Sequence, residues 1–275
     1  MNDYQANTNF DNIKFILVQP SHPGNIGAVA RAMKTMAFTH LTIVSPVVSN
    51  PLQDAEAIAR SAGAADIIQQ TLIVDSLEKA LVGVHWSLAL SARTRKFGPD
   101  IISPRAAAMQ LVDAFNHKKI KQAAIIFGNE QSGLSNYDLG CSQIQVKIPA
   151  NQAYSSLNLA SAAQIIAYEL HIALIENEAR KSIELVDVRK TAALDPFNTH
   201  THLTQTKSCL ASHDELNHLH INLEKALVAI NFVNPHHPKK LLPRLQQIIR
   251  KTQLQSDEVK LLQGIIKALL NKFSC

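Results

Sequence analysis

The chain has 275 residues, 46% of them hydrophobic and 18% charged, enough to bury one core of domain size and a smaller attachment. No apolar run of membrane-spanning length and no charged-then-apolar leader is legible, so a cytoplasmic protein with no membrane contact is expected. The net charge of +5 is unevenly spread: residues 1–204 carry 17 Lys+Arg against 17 Asp+Glu, residues 205–275 carry 10 against 5.

From the N-terminus, short β-branched runs alternate with helical patterns. IKFILVQ (13–19), LTIVS (41–45), LIVD (72–75), WSLALSA (86–92), AAIIFG (123–128) and IQVKI (144–148) read as strands. Most are continuously apolar, as in a mainly parallel sheet with helices on both faces. Helical patterns fill 26–37, 52–62, 76–81 and 104–117, with Asn25 and Ser103 as N-cap candidates, the latter followed by Pro. A longer helix is expected from Ser155 to about Ala179. The class is therefore α/β.

Beyond it the period dissolves. The expected organisation is one domain over 1–178, a linker over 179–205, and a basic helical extension over 206–275. The extension has helical patterns at 213–232, 240–252 and 257–273, the first with an apolar stripe through Leu216, Leu219, Leu223, Leu227 and Ile230. Three such helices are marginal alone, so the extension should dock on something. The cysteines Cys141, Cys209 and Cys275 have no C-x-x-C spacing, and the twelve histidines form no ligand set, so no metal site is expected.

Three stretches carry the chemistry: NIGAVARAM (25–33), IIFGNEQSGLS (125–135) and IPANQAYSSLNLASAA (148–163). Each sets small or polar residues at the end of an apolar run, where backbone must come close to a ligand. The first lacks G-x-G-x-x-G and G-K-[ST] spacing, which excludes the familiar dinucleotide and P-loop sites. Taken alone, Arg31 would more often be a surface or salt-bridge arginine than a catalytic one, and Glu130 more often satisfies backbone N–H groups than acts as a base. Ser and Asn at a helix start are usually caps, but S-L-N after I-P and a turn exceeds what capping requires. Two basic groups, Arg93, Arg95 and Lys96 in SARTRKFG and Lys239, Lys240 and Arg244 in the extension, are either solvated faces or phosphate contacts.

Together the three stretches resemble the motifs of the SpoU branch of the SPOUT RNA methyltransferases. SHPGNIGAVARAMKTM, SARTR, YSSLNLA and the C-terminal pattern NFVNPHHP…LPRLQQIIRK…LLQGIIKALL resemble the bacterial tRNA (cytidine/uridine-32-2'-O)-methyltransferases. Asn129 and Gln131 depart from that subfamily, standing where arginines are common. The resemblance implies a C-terminal trefoil knot in the α/β domain, a homodimer, tRNA as partner and S-adenosyl-L-methionine as cofactor. It places the cofactor against Leu90, Ser91, Ala92, Gly128, Ile148, Ser156, Leu157 and Asn158. Catalytic roles fall to Asn25, Arg31, Glu130, Ser156 and Asn158, with Arg31 at the reacting ribose and its phosphate. The alternatives are 2'-O-methylation of ribosomal RNA by the same core, and a cofactor-free RNA-binding protein that keeps the fold.

Overall fold

The computed structural model describes residues 9–93, 99–192, 209–234 and 241–273, with side chains of the long helix described through 181. Arg95, Lys96, Lys239, Lys240 and Cys275 fall outside them. Seven strands form one sheet: β1 (Ile13–Val18), β2 (His40–Val44), β3 (Leu72–Val74), β4 (Trp86–Leu90), β5 (Asp100–Ile102), β6 (Ala123–Phe127) and β7 (Ile144–Val146). Their order is β3-β2-β1-β6-β4-β7-β5 and every pairing is parallel, as the continuous apolar runs predict. β5 was not legible beforehand, since three residues are too few to show a period.

Side chains alternate across the sheet. Ile13, Phe15 and Leu17 face one core with α1 (Pro23–Thr35), α5 (Pro104–Asn116) and α7 (Leu159–Ala192), where Phe15 stacks on Phe127 at 5.7 Å between ring centroids. Ile16, Val18, Ala89 and Ile126 face the other, against α4 (Leu77–Ala80) and α6 (Asn136–Gly140). Two short helices, α2 (Ala55–Ser61) and α3 (Ala65–Gln70), follow β2, and the second was not expected from the sequence. A Cβ on Gly27 would lie 2.1 Å from the Ala57 carbonyl oxygen, so glycine is what lets α1 cross α2 closely.

Several boundaries differ from the expectation. Helix α1 starts at Pro23 with His22 in the cap position, which places Asn25 inside the first turn rather than at the cap. Helix α7 begins at Leu159, not Ser155; the Asn158 Oδ1 accepts from the N–H groups of Ala160 and Ser161 and so caps it. At its other end α7 continues to Ala192, through residues 179–192 expected as linker. No Gly or Pro interrupts that stretch, and its two Arg, two Lys, Glu and Leu are good helix formers. Its Leu159–Lys181 portion is, contrary to expectation, long and apolar enough to cross a membrane, but Ile166, Ala167, Leu170 and Leu174 are buried in the core.

The last helices, α8 (His213–Ala229), α9 (Leu241–Lys251) and α10 (Ser256–Phe273), pack around Ala211, Leu216, Leu219, Ala226, Val259 and Ile266. Ser212 and Glu215 form a capping box on α8. Ile230, expected in the stripe, is exposed because α8 ends before it. The group docks on the sheet domain through backbone: His213 N–H donates to the Val84 carbonyl (2.7 Å) and Leu210 N–H to that of Lys119 (2.8 Å). The Cys141 carbonyl receives three side-chain donors, Arg250 Nη1 (2.8 Å), Ser87 Oγ (3.0 Å) and His213 Nε2 (3.2 Å).

Candidate active site at the strand ends

The strand order reverses direction at β1, where the chain steps from β1-β2-β3 on one side to β4 on the other. In open parallel sheets that crevice, outside the carboxyl ends of the strands, is where ligands bind. Here the loops after β1, β4, β6 and β7 converge on it. After β1 the chain turns at Gln19 in left-handed backbone (φ 50) and reaches Ser21, whose N–H and Oγ both donate to Glu130 Oε2 at 2.9 and 2.7 Å. Asn25 Nδ2 donates to Glu130 Oε1 at 2.9 Å, and Asn158 Nδ2 donates to Asn25 Oδ1 at 3.0 Å. One residue from each motif thus enters a single hydrogen-bonded chain, with Ser21 as a fourth member.

Burial works to raise the Glu130 pKa, but the hydrogen bonds from Asn25 and Ser21 outweigh it and hold the carboxyl below its ordinary value. It is ionised at neutral pH and each oxygen already has a donor. That is the chemistry of a brace rather than of a general base.

The loop after β6 folds on itself. A Cβ on Gly128 would lie 2.4 Å from Gly133 C and Leu134 N, and Gly133 has φ +70, so both glycines are required by the turn. Asn129 shapes it further: Oδ1 accepts from Gln131 N–H (2.9 Å) and Ser132 N–H (3.3 Å), while Nδ2 donates to the Gln19 carbonyl (2.7 Å). An arginine has no acceptor and could not make this Asx turn. The departure at Asn129 therefore changes how the loop is held.

The cleft is lined by Leu90, Ser91, Ala92, Gly128, Ile148, Ser156 and Leu157, seven of the residues expected at the cofactor, together with Glu130 and Arg93. The eighth, Asn158, does not line it; both its amide atoms are used in the cap and the link to Asn25. Asn25 is buried beneath the rim, and Arg31 is exposed on α1 with no hydrogen bond or ion pair among the described residues. Arg93 and Arg244 are exposed, the latter on α9. Phe127, Leu134, Val146 and Leu159 complete the apolar wall. Their only signal was their place at the ends of strands and at the start of a helix, which any buried residue there would share. Ser21 was missed as well, although it stands in the loop directly before α1. The cavity, about 140 Å³, is below the ~300 Å³ at which clefts for drug-sized ligands begin, so such a ligand must spread the loops or lie partly in solvent.

The SpoU rRNA Methylase family matches residues 12–168, and the C-terminal domain of the tRNA methyltransferase TrmJ matches residues 214–274. The tRNA (cytidine/uridine-2'-O-)-methyltransferase TrmJ of Klebsiella pneumoniae is 34% identical over 260 residues, covering 94% of this chain and 96% of that protein. Its counterpart in Cronobacter sakazakii is 35% identical over 258 residues, with 94% and 96% covered. The crystal structure of TrmJ from Z. mobilis superposes with a TM-score of 0.74 at 24% identity, over 93% of this chain and 98% of that one, and so shares its fold.

Proposed function

The chain belongs to the SpoU rRNA Methylase family and is a methyltransferase; we propose that it transfers the methyl group of S-adenosyl-L-methionine to a ribose 2'-oxygen of tRNA, at nucleotide 32 of the anticodon loop. The observation that carries this reading is the Glu130–Asn25–Asn158 chain, which ties three motifs 105 and 133 residues apart around one cleft. Support for tRNA comes from relatives named for it that match along nearly their whole length.

The cleft fits the cofactor chemically. Leu90, Phe127, Ile148 and Leu157 offer flat apolar contact for a purine, while Gly128 and Ser91 leave little bulk beside the backbone. The bound cofactor supplies an electrophilic methyl on a cationic sulfur, with a neutral thioether as leaving group. What remains for the protein is alignment and management of charge. Ser156, in the wall, is placed to orient the ribose hydroxyl. Asn158 fixes the entry to α7 and with it the position of Ser156. Glu130 holds the loops. The Arg31 guanidinium, a permanent cation without a partner among the described residues, grips an RNA phosphate and stabilises negative charge growing on the 2'-oxygen.

The same family membership supports a trefoil knot formed where α7 follows β7, with a catalytic unit over 1–178 and a basic helical extension over 206–275 that grips tRNA. A homodimer is supported by apolar residues left exposed on α5 and α7, Met109 (64%), Tyr168 (48%) and Ile175 (43%). An enzyme acting on tRNA in this way works in the cytoplasm.

Transfer of labelled methyl to total tRNA, with ribosomal RNA in parallel and the modified nucleotide mapped, tests the proposal. Label on the ribose of nucleotide 32 is expected. Label in ribosomal RNA alone, the substrate in the family's name, keeps the chemistry and overturns the substrate. Absence of cofactor binding overturns the enzyme reading.

A further inference from the structure

Gln145 sits at the centre of β7, between Ile144 and Val146, and is fully buried. Its neighbours face the core beneath the cleft, so Gln145 faces the opposite side of the sheet. Its Nε2 donates to the main-chain oxygen of Arg93 at 2.8 Å and to that of Ser91 at 3.3 Å. Its Oε1 is buried and has no partner among the described residues. A buried polar atom left unpaired is costly, and an aliphatic side chain at this position would avoid that cost. What the amide alone provides is two N–H donors aimed from a rigid strand at two carbonyls of one loop.

That loop is the wall of the cleft. Ser91 N–H donates to the Val146 carbonyl at 3.1 Å and continues the β4–β7 ladder by one residue. Beyond it the chain leaves the sheet, and the Ser91 hydroxyl accepts from Arg93 N–H at 3.3 Å and donates to the Arg93 carbonyl at 3.4 Å. Ser91, Ala92 and Arg93 all line the cleft, and Gln145 is the group that reaches them from inside the sheet. We propose that Gln145 is a positioning residue that holds the Ser91–Arg93 wall in register and so sets the affinity for the cofactor. The proposal rests on the reading of this cleft as the S-adenosylmethionine site. Because Gln145 touches the wall and not the reacting atoms, its loss should weaken binding and spare the chemical step.

The test uses the full chain carrying Gln145→Met, which keeps the volume and removes both donors, and Gln145→Glu, which keeps the shape and turns donors into acceptors. Amide hydrogen exchange over residues 88–93 is followed without ligand, S-adenosylmethionine affinity by calorimetry, and KM against kcat in methyl transfer. Both variants should exchange faster in this segment while β1 and β6 are unchanged. Affinity should fall about tenfold, the scale of one or two lost neutral hydrogen bonds, with kcat at saturation within about threefold. Unchanged local exchange with affinity within twofold for Gln145→Met would overturn the proposal, as would faster exchange spread evenly over the sheet. Should both variants prove insoluble, Gln145→Asn, one methylene too short to reach both carbonyls, decides by the same readouts. Failure of the wild-type protein to bind S-adenosylmethionine would sink the reading of the cleft instead, while the exchange data would still decide the role of Gln145.

Discussion

Asn158 donates its Nδ2 to the Oδ1 of Asn25 at 3.0 Å, across 133 residues of sequence, and the direction of that bond is set by Glu130. An ionised carboxylate only accepts, so Asn25 must turn its Nδ2 toward Glu130. Its Oδ1 then faces Asn158, which must answer with Nδ2 and is left with Oδ1 free to cap α7. Charge on a loop after β6 thus orders two amides in series and ends at the start of the helix behind Ser156. The family's three motifs act as one hydrogen-bonded unit rather than as three separate contacts.

Asn25→Asp tests that ordering with almost no change in shape. A second carboxylate would face Glu130 without a donor between them, and position 25 is buried, so the added charge is poorly solvated. We expect a loss of about 1–3 kcal/mol in stability, the cost of an unsatisfied buried group, and methyl transfer lowered more than tenfold. Thermal unfolding and labelled-methyl transfer check it; wild-type values in both would remove the network from the account.

Gly128→Ala strikes the loop instead. The added methyl would meet the Gly133 and Leu134 backbone at 2.4 Å, too close for any side chain to move aside. The 128–134 turn must open, and with it one wall of the cleft. Cofactor affinity measured by calorimetry should drop by at least an order of magnitude while the far-UV circular dichroism stays that of the wild type. Retained affinity would show that the turn is not part of the binding surface.

Much of this was legible beforehand, for reasons that differ by element. The parallel sheet showed itself because strands buried on both faces, such as β6 with AAIIF, cannot alternate and must be continuously apolar. The motif residues showed themselves as words, but the words carried roles that geometry reassigns. Asn158 was read against the cofactor and is a cap tied to Asn25. Gly128, which lines the cleft as expected, also makes room for the chain's own Gly133 and Leu134 backbone. The start of α7 was set four residues early because Ser155 is as good a cap by composition as Asn158, and only the tertiary bond to Asn25 separates them. Gln145 gave no signal beyond one polar letter in an apolar strand.

Arg31 offers a cleaner separation of binding from chemistry. It is exposed and holds no internal partner among the described residues, so Arg31→Ala should leave stability within about 0.5 kcal/mol and cofactor affinity unchanged. Loss of a group that stabilises charge at the reacting oxygen typically costs on the order of 10²–10³ in kcat. Arg31→Lys keeps the charge but loses the planar fork that grips a phosphate with two bonds, so an intermediate rate is expected. A lysine variant as fast as wild type would reduce the role to simple charge.

The docking of the C-terminal helices predicts a pH dependence whose sign can be worked out. His213 is buried, and burial first, with Arg250 beside it second, pushes its pKa down from 6.5 to about 3. The folded protein keeps it neutral, with Nε2 donating to the Cys141 carbonyl. The unfolded chain takes up a proton near pH 6.5, so stability contributed by this site is whole above that pH. It falls as pH drops from 6.5 toward 3, by up to about 1.4 kcal/mol per unit. His85 and His220, also lowered chiefly by burial, act with the same sign. Urea unfolding at pH 7.5 and 5 should show the wild type losing stability on acidification. His213→Gln cannot titrate and should lose less over the same interval, even if it starts lower. Equal losses would mean that the proton enters elsewhere, and that the helices stay docked on the Cys141 carbonyl regardless of the charge of His213.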